Sequence, residues 1–246
     1  MTPGASWEHV TKLYGPRAAL EDFSLELGPG VHALLGPNGA GKSTALNLLS
    51  GIRLADDGVM RVCGERVTRG GRSARSLSST PQALSFPPVL RVREVLDFIA
   101  AHYPQPLAID ALCDRLPLAQ LLERKCGGLS GGQTRVVGLA CALSGNTEVL
   151  LLDEPSTGLD PETRSTVHEI LREQRTMGRC IILSTHDYAE AETTADTVSL
   201  IRHGRLLLHE RLGQLTRLRS ESTKSGELTL EHLISDLLRD SPEAAG

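Results

Sequence analysis

Gly36-Pro37-Asn38-Gly39-Ala40-Gly41-Lys42-Ser43-Thr44 is the stretch from which the rest of this chain can be read. It fits the pattern G-x-x-x-x-G-K-[ST], a phosphate-binding loop. Glycines at 36, 39 and 41 let the backbone take conformations closed to other residues, so that successive N–H groups turn inward on phosphate oxygens. Lys42 supplies a charge for the β- and γ-phosphates of a nucleotide, and the Ser43 hydroxyl a ligand for Mg²⁺. Only four of the 26 lysines and arginines are lysines, so a lysine at 42 marks a place where a compact ammonium is wanted rather than a guanidinium fork. Ahead of the loop, Val31-His32-Ala33-Leu34-Leu35 reads as a buried strand. Behind it, Ala45-Leu46-Asn47-Leu48-Leu49 reads as a helix that ends at Gly51 and turns its N-terminus to the phosphates. A glycine-rich turn before an ordinary helix is the bland alternative, and the flanking strand and helix tell against it.

The same alternation continues outward. Val149-Leu150-Leu151-Leu152 and Cys180-Ile181-Ile182-Leu183 are short unbroken apolar runs, as in strands buried on both faces. Between them, 161–177 reads as a helix with Pro161 in its first turn. Strand and helix in turn predict an α/β framework around a parallel sheet. Residues 7–35 carry strand patterns, with Phe23, Leu25 and Leu27 alternating with polar neighbours, and Asp56-Asp57-Gly58 signals a turn before Val59-Met60-Arg61-Val62. The segment 87–125 is richer in helix signals broken by Pro87, Pro88, Pro104, Pro106 and Pro117, and reads as a helical insertion. Near the C-terminus Leu230, Leu233, Ile234, Leu237 and Leu238 follow helical spacing, read as a helix packed on its own domain rather than one held out for a partner. The last residues, 241–246, read as a frayed tail.

Bulk properties narrow the class. At 246 residues the chain suffices for one large domain with an inserted subdomain. A net charge of −4 argues against a general nucleic-acid binder, and the five arginines within 61–75 read as a solvated face or loop. No apolar run reaches the roughly 18–20 residues of a membrane span. The start of the chain lacks the basic-then-apolar order of a signal peptide, so any membrane role is expected to come through a partner. Cys63, Cys113, Cys126, Cys141 and Cys180 are odd in number and widely spaced, which favours free thiols in a reducing cytoplasm over a metal site.

Two further motifs carry chemistry. Asp153 and Glu154 follow the run 149–152 directly, and a strand that ends in carboxylates beside a phosphate loop suits Mg²⁺ binding by Asp153 and polarisation of an attacking water by Glu154. Leu129-Ser130-Gly131-Gly132-Gln133 is a second small-residue run opening a helical pattern; it reads either as another anion cradle or as a plain cap by Ser130.

Taken together, residues 8–215 resemble the nucleotide-binding subunit of an ABC transporter, motif by motif and in order. Residues 36–44 match Walker A, 129–133 match the LSGGQ signature without change, and 149–154 match Walker B. Tyr14 resembles the aromatic that stacks on adenine, and Gln82 the Q-loop glutamine that senses Mg²⁺ and γ-phosphate. Ser156-Thr157-Gly158-Leu159-Asp160 resembles the D-loop, and His186 the switch histidine. The resemblance implies an α/β P-loop NTPase fold with a mainly parallel core sheet, an N-terminal antiparallel β-subdomain and an α-helical subdomain inserted at about 87–145. It places the ATPase domain at 1–215 and leaves 216–246 as a short helical tail. ATP and Mg²⁺ are the implied ligands. Glu154, His186, Lys42 and Gln82 would act in catalysis, and Ser43, Gln82 and Asp153 would hold the metal. Tyr14, Gly36, Pro37, Asn38, Gly39, Ala40, Gly41, Lys42, Ser43, Thr44, Ser130, Gly131, Gly132, Gln133 and Asp160 would hold the nucleotide. Implied partners are a second ATPase subunit, as a homodimer in which each signature faces the other copy's Walker A, and an integral membrane permease; no nucleic acid is expected. The implied place is cytoplasmic, on the inner face of the cell membrane, and the lack of a long domain after 215 leans towards export. A non-transport ATPase of the same superfamily and a binding-only regulatory module are the alternatives. The chain departs from the family where arginines are common in the signature helix, at Val136 and Cys141, and at Arg91, where threonine is common.

Overall fold

The computed structural model describes residues 4–215, 230–232 and 234. In chain order the elements are β1 (Ala5–Tyr14), β2 (Arg17–Leu27), β3 (Gly30–Leu35), α1 (Lys42–Leu49), β4 (Asp57–Val62), β5 (Glu65–Arg66), β6 (Leu77–Thr80), α2 (Val92–Ala100), α3 (Ile109–Cys113), α4 (Gly131–Ser144), β7 (Val149–Asp153), α5 (Pro161–Thr176), β8 (Cys180–Ser184), α6 (Tyr188–Thr194), β9 (Thr197–Arg202) and β10 (Arg205–Arg211). They build two sheets. One has the order β2-β1-β4-β5 and is antiparallel. The other has the order β10-β9-β3-β8-β7-β6, in which only β10 runs against its neighbour.

Period-two alternation explains why the central strands read as unbroken apolar runs. Val31, Ala33 and Leu35 of β3, Leu150 and Leu152 of β7, and Ile181 and Leu183 of β8 point into one core, shared with α2, α4 and α5. Leu34, Leu151, Cys180 and Ile182 point into the other, shared with α1 and the antiparallel sheet. Both faces are covered, so every position must be apolar. Trp7 and Phe23 anchor the second core, with ring centroids 5.8 Å apart in an edge-to-face arrangement. The Trp7 indole N–H also donates to the Ala45 carbonyl of α1 at 3.3 Å, tying the antiparallel sheet to the helix that follows the phosphate loop.

The helical group between β6 and β7 rests on α4, against which α2 and α3 pack. Val136 and Cys141 are buried in it, 5% and 9% exposed, so at these two positions the helix spends side chains on the core. Arg91 precedes α2 in extended conformation; Glu94 accepts its backbone N–H at 2.7 Å, and its guanidinium donates to the Glu123 carbonyl at 2.7 Å. The arginine thus ties the start of α2 to the neighbouring chain rather than capping it with a hydroxyl. Arg66, Arg69, Arg72 and Arg75 are exposed, as a solvated face requires. The tail helix falls mostly outside the described residues; within them 230–232 and 234 are helical, and Leu230 and Ile234 lie in the larger core.

Candidate nucleotide site

Four strands of the parallel sheet deliver their C-terminal ends to one edge. The loop 36–41 leaves β3, Gln82 follows β6 by two residues, Asp153 ends β7 with Glu154 next, and Thr185 and His186 follow β8. Open α/β sheets place ligands at this edge.

The phosphate loop is built on backbone that other residues would not accept. Gly36 has φ 146° and Gly41 φ 115°, and a Cβ on them would lie 2.1 Å from the Ile201 carbonyl oxygen and 2.5 Å from that of Ala19. Gly41 also begins α1, and no side chain caps that helix, so its first N–H groups are left for an anion. Lys42 is buried, and its ammonium donates to the carbonyls of Gly36 at 2.6 Å and Pro37 at 3.1 Å. Burial pulls its pKa below the ordinary lysine value, against the opposing influence of Glu154 and Asp153.

A cleft of about 380 Å³ opens over this loop, lined by Tyr14, Arg17, Asn38, Gly39, Ala40, Gly41, Lys42, Ser43, Thr44, Gln82 and Glu154. Tyr14 is 46% exposed, and the Lys12 ammonium lies 5.6 Å from its ring centroid, which fixes the ring at the rim. Lys12 is held in turn by Asp56 at 2.9 Å. The Ser43 hydroxyl donates to Asp153 Oδ1 at 3.2 Å, so the two oxygens that would ligate a hard cation already adjoin. Among the described residues no group of three or more His, Cys, Asp or Glu side chains could hold a metal alone. The adjoining Ser43 hydroxyl and Asp153 carboxylate are the kind of oxygen donors that Mg²⁺ takes beside substrate phosphates.

Glu154 lies 6% exposed with φ 51°, a left-handed conformation uncommon for a residue with a side chain. The neighbouring strand holds it there: its N–H meets the Ser184 carbonyl at 3.0 Å and the Ser184 hydroxyl at 3.2 Å. Its carboxylate accepts from Thr157 Oγ1 at 3.3 Å and lies 3.2 Å from His186 Nδ1. Ser184 also donates from Oγ to Asp153 Oδ1. Sequence reading passed over Ser184 and Arg17. Ser184 was discoverable from register, since β8 lies between β3 and β7 and its last residue pairs with Asp153. Arg17, whose guanidinium donates to the Gly39 carbonyl at 3.0 Å, carried no signal beyond its closeness to Tyr14.

The signature residues stand elsewhere. Ser130, Gly132, Gln133 and Asp160 line a second cleft of about 280 Å³ with Val136 and Leu159, and none of them lines the first. Gly131 lies beside them as the first residue of α4. Ser130 caps α4, as Oγ accepts Gln133 N–H at 3.2 Å and Gln133 Oε1 accepts Ser130 N–H at 3.1 Å. Asp160 caps α5 by accepting from Thr163 N–H at 2.9 Å, a bond that holds its carboxyl below the usual range. A larger cleft of about 910 Å³ opens at the other end of the strands beside His32 and Asp196, away from all these motifs. In it Asp196 pairs with Arg175 at 2.5 Å, and His32 with Thr197 and the Gly28 carbonyl, each at 2.8 Å.

Comparison with known proteins gives a consistent set of relatives. A family model described as ABC transporter matches residues 20–157. Nod factor export ATP-binding protein I of Paraburkholderia xenovorans is 36% identical over 206 residues, which cover 81% of this chain and 68% of that protein. The protein of the same name from Burkholderia thailandensis is 40% identical over 207 residues, with the same coverage of 81% and 68%. Among solved structures, an ATP-binding subunit of an ABC transporter superposes with a TM-score of 0.83 at 26% identity, over 95% of this chain and 99% of that one. A dimeric cassette in a post-hydrolysis state with ADP and Pi shares the fold, with a TM-score of 0.76 at 22% identity over 85% of this chain and 98% of its own.

Proposed function

We propose an activity for this chain from one premise: it belongs to the ABC transporter family. On our reading it binds ATP with Mg²⁺ and hydrolyses it, as one of two copies that power a membrane-spanning partner, in export. The observation that carries this reading is the division of the motifs between two clefts, each with half of what a triphosphate needs.

The residues of the first cleft and those bonded to them divide the work. Tyr14 offers a ring face for the base. The loop N–H groups and Lys42 take up phosphate charge, and Ser43, Asp153 and Gln82 would hold the metal. Bound there, Mg²⁺ would neutralise charge on the phosphates. Glu154 is placed to take a proton from the attacking water, and Thr157 and His186 fix its carboxylate. His186 faces Glu154 through Nδ1, and donation from Nδ1 to that carboxylate and from Nε2 to a γ-phosphate oxygen together would call for its doubly protonated form. An anion role for the Ser130 hydroxyl and the Gly131 and Gly132 N–H groups calls for a second copy, since no phosphate loop of the same copy lines their cleft. ATP would favour the closed pair through contacts made only there. Export and a permease partner rest on the names of the relatives, and among the described residues no helix is long and apolar enough to cross a membrane.

Glu154→Gln tests the reading. Turnover is expected to fall by about 10²–10⁴, with ATP affinity preserved, and the variant should gather as an ATP-bound dimer in size-exclusion chromatography. Wild-type turnover in that variant overturns the assignment. Co-purification with the product of a neighbouring membrane-protein gene tests the transport half.

A further inference from the structure

α5 and α6 each begin at one arm of the proposed site. α5 follows Asp160, and α6 starts two residues after His186, capped by Asp187, which accepts from Ala189 N–H at 2.9 Å and Glu190 N–H at 3.2 Å. At the packed face between the two helices sit two buried polar atoms without a hydrogen-bond partner among the described residues, His168 Nε2 of α5 and Glu190 Oε1 of α6. They are 3.8 Å apart, with side chains 13% and 4% exposed. A buried polar atom without a hydrogen bond is costly, so two of them facing each other need a reason. At that distance they are just too far apart for a hydrogen bond, and a helix shift of about 1 Å makes or breaks one.

We propose, resting on the ATPase reading above, that His168 and Glu190 are positioning residues whose hydrogen bond closes during turnover and sets α6, with His186 at its head, against α5, with Asp160 at its head. α6 has only seven residues, so a single buried contact has large leverage over its pose. A further anchor lies towards its far end, where Glu192 accepts Leu230 N–H at 2.8 Å. The ionisable groups acting on His168 are Glu190 and Asp187 from the α6 side and Arg172 and Arg164 from its own helix, while β3 and β8, which also pack on α5, contribute none. Burial holds the imidazole below its ordinary pKa, so near neutral pH it is uncharged and can donate one proton from Nε2. Acidification charges it and draws it onto Glu190.

Histidine side-chain ¹⁵N spectra of the full chain, read beside steady-state ATP hydrolysis, test the proposal. In Glu190→Ala and His168→Gln the His186 resonances should move, and kcat should fall by about tenfold to a hundredfold with little change in KM. Glu190→Gln, which keeps an acceptor in the same shape, should restore both. The kcat–pH profile should lose an acid-side ionisation in His168→Gln. Unmoved His186 resonances in the folded variants, or superimposable pH profiles, overturn the proposal, and so does a loss in Glu190→Gln equal to that in Glu190→Ala. If wild-type protein shows no turnover, the ATPase reading fails, and the His186 resonances alone decide whether the contact positions that side chain.

Discussion

Replacing Ser184 with alanine is expected to weaken the site without touching a residue of any motif. The Ser184 side chain is fully buried at 0% exposure. Its hydroxyl donates to Asp153 Oδ1 and accepts from the Glu154 N–H. Without it, Ser43 at 3.2 Å is left as the donor to the Asp153 carboxylate, while Glu154 N–H keeps the Ser184 carbonyl at 3.0 Å. The backbone therefore stays satisfied, and the loss is one bond to a charged group, worth about 1.5–3 kcal/mol. For a domain of this size 1 kcal/mol moves Tm by about 2–4 °C, so a loss of about 2 kcal/mol lowers it by about 4–8 °C in calorimetry. Asp153 also loses the partner that aims it, so the Mg²⁺ concentration for half-maximal turnover should rise about tenfold. A variant that melts within about 1 °C of wild type and needs no more Mg²⁺ refutes the idea that the end of β8 organises the end of β7.

Other expectations can be checked as directly. Ser130→Asn keeps a good cap on α4, so Tm should hold while turnover falls in the pure variant; normal turnover would reduce Ser130 to a cap. Burial pushes the Cys141 and Cys180 thiols up to about 12, so at about pH 8 iodoacetamide should label half-buried Cys63 and Cys113 and spare these two until the chain unfolds. Mass spectrometry showing early labelling of either buried thiol would contradict their placement. His32, His168 and His209 are all held below the ordinary histidine value of 6.5 by burial. Below that pH the unfolded chain binds more protons than the folded one, so Tm should drop as pH falls from about 7 to about 5.5; a rise over that interval would be incompatible.

Motif chemistry was legible because it depends on residue type at fixed spacing. The glycines at 36 and 41, Lys42, and the carboxylates that follow 149–152 stand out by type and spacing alone, and the structure gathers them at one edge of the sheet. The core strands were legible too, since burial on both faces demands unbroken apolar runs. What escaped depends on register between distant segments. Ser184 looks like any strand-end serine until β8 is seen to lie between β3 and β7. Glu154 gives no sign of its left-handed backbone, which is imposed by the Ser184 carbonyl and hydroxyl, and Arg17 contacts the phosphate loop only through the turn between β1 and β2. The split into two clefts was implied by resemblance; spacing along the chain does not fix which motifs share a cavity.

The chain has a single tryptophan. Trp7 sits in the antiparallel sheet, yet its indole reports on α1, because its N–H is donated to the Ala45 carbonyl one turn from the loop lysine. The molecule thus carries its own indole fluorophore, hydrogen-bonded to the helix proposed to receive the phosphates. A movement of α1 by a fraction of an ångström changes the hydrogen bond of the one indole, so titration of nucleotide can be followed by intrinsic tryptophan emission without a label.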